Sequence, residues 1–312
     1  MGLQPMFSQK KISPLHLVVI YHRSCLKKRR INMHSIELFI DGLTKYNFLQ
    51  TALVTSILVG IMSGIIGSFI ILRGMSLMGD AISHAVLPGV AVAYMLGINL
   101  LLGASAFGIL AALLIGVVTM KSKLKNDTAI GIVFSAFFAL GFILISLAES
   151  ATNLHHILFG NVLAVSDSDL ITTAIVLSIV LLFVVTFYKE LLITSFDNTF
   201  AKAYGLKTQI MHYALMLVLT LVTVTALQTV GIILIVAMLI TPAATAYLLT
   251  NRMSHMMIVA AIFSVISSIV GLYLSFTFNW ASGPAIVLTA AIFFTLAFIF
   301  APKQGIVFKR KS

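Results

Sequence analysis

Long apolar runs alternate along the chain with short polar breaks. Runs near 48–72, 75–97, 100–120, 128–148, 169–188, 210–228, 230–250, 255–276 and 284–301 carry few or no charges. About 20 such residues in a helix span the hydrocarbon core of a bilayer. The pattern predicts an all-α polytopic membrane protein with about nine transmembrane helices. No series of ten-residue alternating segments is present, which excludes a transmembrane barrel. Composition agrees: the 312 residues are 60% hydrophobic and 9% charged, outside the range of ordinary soluble domains.

The remaining charges set an orientation. Lys121, Lys123 and Lys125 share one break, Lys189, Lys202 and Lys207 another, Arg252 a third, and Lys303, Lys309, Arg310 and Lys311 follow the last run. With nine alternating helices, these residues and Arg73 fall on one side, which the positive-inside rule makes cytoplasmic, C-terminus included. The breaks at 97–99, 149–168 and 277–283 hold no Lys or Arg.

Residues 1–32 break this pattern, with Lys10, Lys11, Arg23, Lys27, Lys28, Arg29 and Arg30 and no acid on what should be the outer side. Either the segment is an interfacial extension whose LHLVVI stretch at 15–20 is too short to span, or translation starts at Met33; the second reading is preferred. The segment lacks the long apolar region and small-residue cleavage site of a secretory signal. Removing its seven cations takes the formal charge from +11 to +4, so the basic balance reflects topology and not nucleic acid. The predicted organisation is a basic leader at 1–32, a short extracellular segment at 33–47, a transmembrane domain at 48–301 and a basic cytoplasmic tail at 302–312. The single cysteine, Cys25, lies in the leader, which rules out an internal disulfide and a cysteine metal site.

Candidate chemistry concentrates in RGMSLMGDAISHAVLPG at 73–89. Read as one helix from Arg73, it places Asp80 about 10 Å and His84 about 16 Å along the axis, near mid-membrane. The spacing of four puts both on one face, with Ser76 a turn before. Pro88 lacks the N–H that would bond the His84 carbonyl, which predicts a free carbonyl on the same face. The pair could be structural glue between helices. A carboxylate and an imidazole also make half a site for Mn²⁺, Zn²⁺ or Fe²⁺. A two-fold axis between two copies would double it into an Asp₂His₂ cage.

RGMSLMGDAISHAVLPGVAVAY resembles the signature of metal-ion permease subunits of ATP-binding-cassette importers, the manganese/zinc/iron (ABC-3) family. GIVFSAFFALGFILIS at 131–146, LFGNVLAVS at 158–166, VGIILIVAMLITPAATAYLL at 230–249 and SGPAIVL at 282–288 resemble later parts of that family. The resemblance covers roughly residues 45–301. It implies an importer permease of the metal/chelate (type II-like) kind in a bacterial cell membrane, with Asp80 and His84 as ligands of the transported metal and no permanently bound cofactor. It also implies three partners: a second copy of the chain, cytoplasmic ATPase subunits and an extracellular metal-binding protein.

The family's ATPase-docking pattern resembles Asp-Pro-Glu-Phe-Ala followed by a Gly. KELLITSFDNTFAKAYGLKTQ at 189–209 offers Asp197, Phe200, Ala201 and Gly205 and lacks the Pro and Glu. Ala201 and Gly205 are expected to allow close approach of a partner. An ordinary connector between two helices is the alternative.

Other features point to packing. Ser56, Gly60, Gly64 and Ser68 form a small-residue ladder in the first run, the methionines suit gap filling, and Pro242 marks a helix irregularity. His155 and His156 are adjacent in a loop and define no ligand face. No H-E-x-x-H pair and no G-x-x-x-x-G-K-[ST] loop occurs, so the chain is read as a transport subunit and not an enzyme. The expected cargo is Mn²⁺, with Zn²⁺ or Fe²⁺ as alternatives, moved past Asp80 and His84 by alternating access. The rival functions are a permease for an iron chelate or corrinoid and an ion-coupled secondary carrier.

Overall fold

The computed structural model describes residue 37, residues 39–147 and residues 162–301. The leader with Cys25, the His155–His156 loop and the tail at 302–312 lie outside the described residues. The chain divides into two compact units, Met1–Tyr46 and Asn47–Ser312. In the first, residues 39–45 are helical and Thr44 Oγ1 donates to the Asp41 carbonyl at 2.9 Å.

The second unit is all helix among its described residues, apart from joints. Its elements are α1 (Asn47–Leu72), α2 (Met78–Ala85), α3 (Leu87–Leu96), α4 (Leu100–Lys121), α5 (Asn126–Leu147), α6 (Asp167–Thr186), α7 (Tyr188–Phe196), α8 (Asn198–Ala203), α9 (Thr208–Val230), α10 (Ile232–Leu249), α11 (Met253–Phe278) and α12 (Ser282–Phe300). With α2 and α3 counted as one interrupted span, nine of these helices among the described residues are long and apolar enough to cross a membrane.

Polar residues at the joints set where these helices begin. Asn99 caps α4 by accepting from the Leu101 N–H at 2.8 Å, and Ser166 and Asp169 form a capping box at the start of α6, each satisfying N–H groups that have no intrahelical partner.

Small residues then decide the packing, because apolar side chains gain nothing from leaving lipid and close contact must hold the helices together. The ladder on α1 faces α11. A Cβ added at Gly64 would stand 2.8–2.9 Å from the Ala260 and Ala261 backbone, and one at Gly60 would stand 3.1 Å from the Ser264 Cβ. One step further along, Ser268 Oγ donates to the Ser56 carbonyl at 3.3 Å. Gly67, which was not part of the ladder, lies directly against the Leu239 carbonyl of α10.

Around this crossing Met62, Met78, Met216 and Met238 are buried with Ile66, Phe69 and Ile82, the packing role expected of the methionines. Pro242 is buried inside α10, which continues through it. Large apolar residues such as Leu102, Phe142, Leu182 and Ile258 are exposed on the outer helices. In water such a surface would aggregate; in lipid it is solvated.

Candidate metal site and docking segment

The signature does not form one helix from Arg73. α1 stops in a Schellman motif: Met75 N–H reaches the Ile70 carbonyl at 3.0 Å and Gly74 N–H the Ile71 carbonyl at 3.1 Å, with Gly74 at φ 62°. That left-handed conformation is nearly free for glycine and is what ends the helix. α2 starts afresh at Met78, so Asp80 occupies its first turn and His84 its last. A carboxylate in the first turn suits the positive end of the helix dipole. The axial distances counted along one continuous helix from Arg73 therefore do not apply. His84 is the seventh of the nineteen residues in Met78–Leu96, three short of the central one and on its Arg73 side.

Asp80 and His84 do come together on one face, with His84 Nε2 3.4 Å from Asp80 Oδ1. This is longer than the roughly 2.7–2.9 Å of a charge-assisted hydrogen bond, so the pair is adjacent without being tightly closed on itself. The imidazole is held edge-on by two phenylalanines of α5, Phe134 at 5.5 Å and Phe138 at 5.4 Å between ring centroids. Its Nδ1 is buried with no hydrogen-bond partner among the described residues, which leaves Nε2 as the atom presented beside the carboxylate.

The expected free carbonyl is absent: at the α2–α3 joint, backbone N–H groups reach the carbonyls of both His84 and Ile82. Pro88 lies in the first turn of α3, where its missing N–H costs nothing. The side chains of Asp80 and His84 remain 42% and 25% exposed. No set of three or more His, Cys, Asp or Glu gathers among the described residues, where this pair stands as two such donors.

The second candidate region forms α7 and α8. Asp197 caps α8, its Oδ1 accepting from the N–H groups of Thr199 at 2.8 Å and Phe200 at 2.9 Å. The roles expected for the two small residues change. Ala201 is fully buried against its own chain, so its methyl is not offered to a partner. Gly205 stops α8 at φ 84°, with nothing within 4 Å of a Cβ built on it. It terminates the helix as Gly74 does, through the Leu206 N–H to Ala201 carbonyl bond at 3.0 Å. The exposed face of this segment is aromatic, with Phe196, Phe200 and Tyr204 all more than half exposed and the last two rings stacked.

The α7–α8 segment and the turn that leads into α2 share one end of the unit. A cavity of about 520 Å³ is lined there by Leu72, Arg73, Thr119, Asn126, Thr194 and Lys202. At the Lys- and Arg-free end, a cavity of about 830 Å³ is lined by Asn99, Val165, Asp169 and Gln228 among others.

A multi-pass helical bundle with an adjacent carboxylate–imidazole pair on one span, and a short helix presenting aromatic residues at its Lys- and Arg-rich end, has the architecture of a transporter's membrane subunit. The chain matches the ABC 3 transport family over residues 45–301 and belongs to that family. It is 66% identical over 274 residues to the manganese transport system membrane protein MntC of Listeria monocytogenes serovar 1/2a, covering 88% of this chain and 98% of that one. It is 56% identical to the manganese import system permease protein ScaB of Streptococcus parasanguinis, with 85% and 95% covered. Among solved structures, PsaBC from Streptococcus pneumoniae in complex with Fab superposes with a TM-score of 0.78 at 57% identity, over 86% of this chain and 97% of that chain. Membership decides between the importer and the ion-coupled carrier in favour of the importer.

Proposed function

We propose that this chain is the permease subunit of an ATP-driven manganese importer, and that Asp80 and His84 form half of the site through which the ion passes. The observation that carries the reading is a carboxylate and an imidazole left partly exposed on a membrane-spanning element. An ionisable group facing lipid costs up to about 2.5–3.5 kcal/mol on insertion scales, so such a face is covered by protein or lines a water-filled path. A second copy related by a two-fold axis meets both needs. It covers the face and brings two further donors, giving the four ligands that one chain lacks.

Carboxylate oxygen and imidazole nitrogen suit Mn²⁺, yet by the usual order of affinities they bind Zn²⁺ more tightly. The preference for manganese is taken from the relatives' names, and the discrimination lies in geometry and delivery. The energy comes from separate ATPase subunits, since the chain has no phosphate-binding loop. They would dock on the α7–α8 aromatic face on the cytoplasmic side, the side on which the C-terminus lies. A metal-binding protein outside delivers the ion, and alternating access then exposes the site to one side and the other.

Asp80→Asn and His84→Ala each remove one ligand without altering the helix. Both should abolish uptake of radioactive manganese at low external metal while the protein stays in the membrane. Uptake at the wild-type rate by either variant would refute the site.

A further inference from the structure

Arg73 stands at the joint between these two regions. It precedes the Gly74 turn that leads into α2, seven positions ahead of Asp80, and its side chain reaches α7. Nε donates to Ser195 Oγ at 3.0 Å, and an Nη2 hydrogen goes to Thr194 Oγ1 at 2.7 Å. The two hydroxyls are set as acceptors by their own helix: Thr194 Oγ1 donates to the Glu190 carbonyl at 2.7 Å and Ser195 Oγ to the Leu191 carbonyl at 2.6 Å. Their protons are spent there, and their lone pairs are left for the guanidinium.

A rigid fork on two consecutive residues fixes direction as well as distance, which a lysine could not do. Ser195 is two residues before Asp197, the cap of α8. α2 itself packs on α4, α5, α9 and α10, so Arg73 is the hydrogen-bonded bridge from its leading turn to the docking segment. Burial lowers the guanidinium pKa to about 10, which keeps it cationic at neutral pH. Its hydrogen-bond partners among the described residues are neutral hydroxyls and not a carboxylate. Neutral partners hold a cation less firmly than an ion pair would and are more easily exchanged when one element moves.

We infer that Arg73 is a positioning residue that transmits movement of the α7–α8 docking segment, through its paired bonds to Thr194 and Ser195, into the turn that carries Asp80 and His84. The inference rests on the functional reading above, and its failure is distinguishable because metal binding, ATPase docking and coupling are measured separately.

The test uses the permease–ATPase complex in lipid nanodiscs and proteoliposomes. Arg73→Ala should still bind manganese and co-purify with its ATPase, yet lose about tenfold or more of its uptake, the expected effect of deleting hydrogen bonds to a charged group. Thr194→Val with Ser195→Ala keeps Arg73 and should reproduce that loss. Combining the changes should be no worse than either alone, and Arg73→Lys should recover part of the uptake. A structural prop would not move a second readout: thiol labelling of Leu77→Cys, made in a Cys25→Ser chain so that no other cysteine is present. Its rate should change between nucleotide-free and ATP-bound complex when Arg73 is present and stay constant in Arg73→Ala.

Wild-type uptake by Arg73→Ala, additive effects of the two sets of changes, or a labelling rate that ignores nucleotide even with Arg73 present would overturn the inference. Loss of bound manganese or of the ATPase in both sets of variants would also overturn it, since Arg73 would then be holding the site or the dock together. Normal transport by Asp80→Asn would instead sink the functional reading itself.

Discussion

At the scale of single residues, the metal site proposed above depends on the orientation of His84, and two aromatic rings hold that side chain. Edge-to-face aromatic contacts are worth about 0.5–1.5 kcal/mol each. Phe138→Ala should therefore weaken manganese binding by about two- to tenfold, read by titration of the purified complex, with Asp80 and His84 both present. Unchanged affinity would show that the imidazole is oriented by something other than its phenylalanine neighbours. The Asp80–His84 pair was legible because a spacing of four needs only helical geometry. Phe134 and Phe138 were equally four apart in GIVFSAFFALGF, but nothing local says that they meet residues on α2 some fifty positions earlier. The Arg73 bridge is hidden for the same reason, since Thr194 and Ser195 lie more than a hundred residues away and carry no motif.

At the scale of elements, glycines separate into two kinds that the sequence alone does not distinguish. Gly64 is needed for space: Gly64→Leu must push α1 away from the Ala260–Ala261 backbone, an overpacking worth about 1–3 kcal/mol. Its midpoint in thermal unfolding in detergent should fall. Gly205 is needed for its backbone angle. Gly205→Asn should keep ATPase docking near wild type because asparagine tolerates the left-handed region, whereas Gly205→Val should not.

The aromatic face makes a complementary prediction: Phe200→Ala with Tyr204→Ala should release the ATPase from the purified complex, and retention would show that the partner docks elsewhere. Helix lengths were readable from apolar runs because the bilayer fixes them. The break at Arg73 was readable too, but not its extent to Met78, since G-M-S-L-M continues the apolar pattern and the turn there is set by one glycine's φ.

At the scale of the whole molecule, the paired-copy reading makes a stoichiometric prediction. The assembled transporter should hold one tightly bound manganese per two chains, measured by metal analysis after gel filtration, and one per chain would mean that each copy completes its own site. The organisation along the chain makes another. A chain begun at Met33 should insert and transport as the full one does, because the spans and both ligands lie downstream; failure to insert would give residues 1–32 a role in assembly.

The eight-residue α2 has a further mechanical consequence. With a turn at 73–77 before it and Val86 continuing it in helical geometry into α3, it is the leading segment of the Met78–Leu96 span and carries Asp80 and His84 one turn apart. A helical segment moves as a body, so the backbone positions of Asp80 and His84 keep their separation when the span tilts. Where a second copy supplies the other two donors, the ion cannot be loosened one ligand at a time from within a chain. On the two-copy reading proposed above, parting the two segments would drop the coordination from four to two in a single step, and release would become a switch thrown by the gap between subunits.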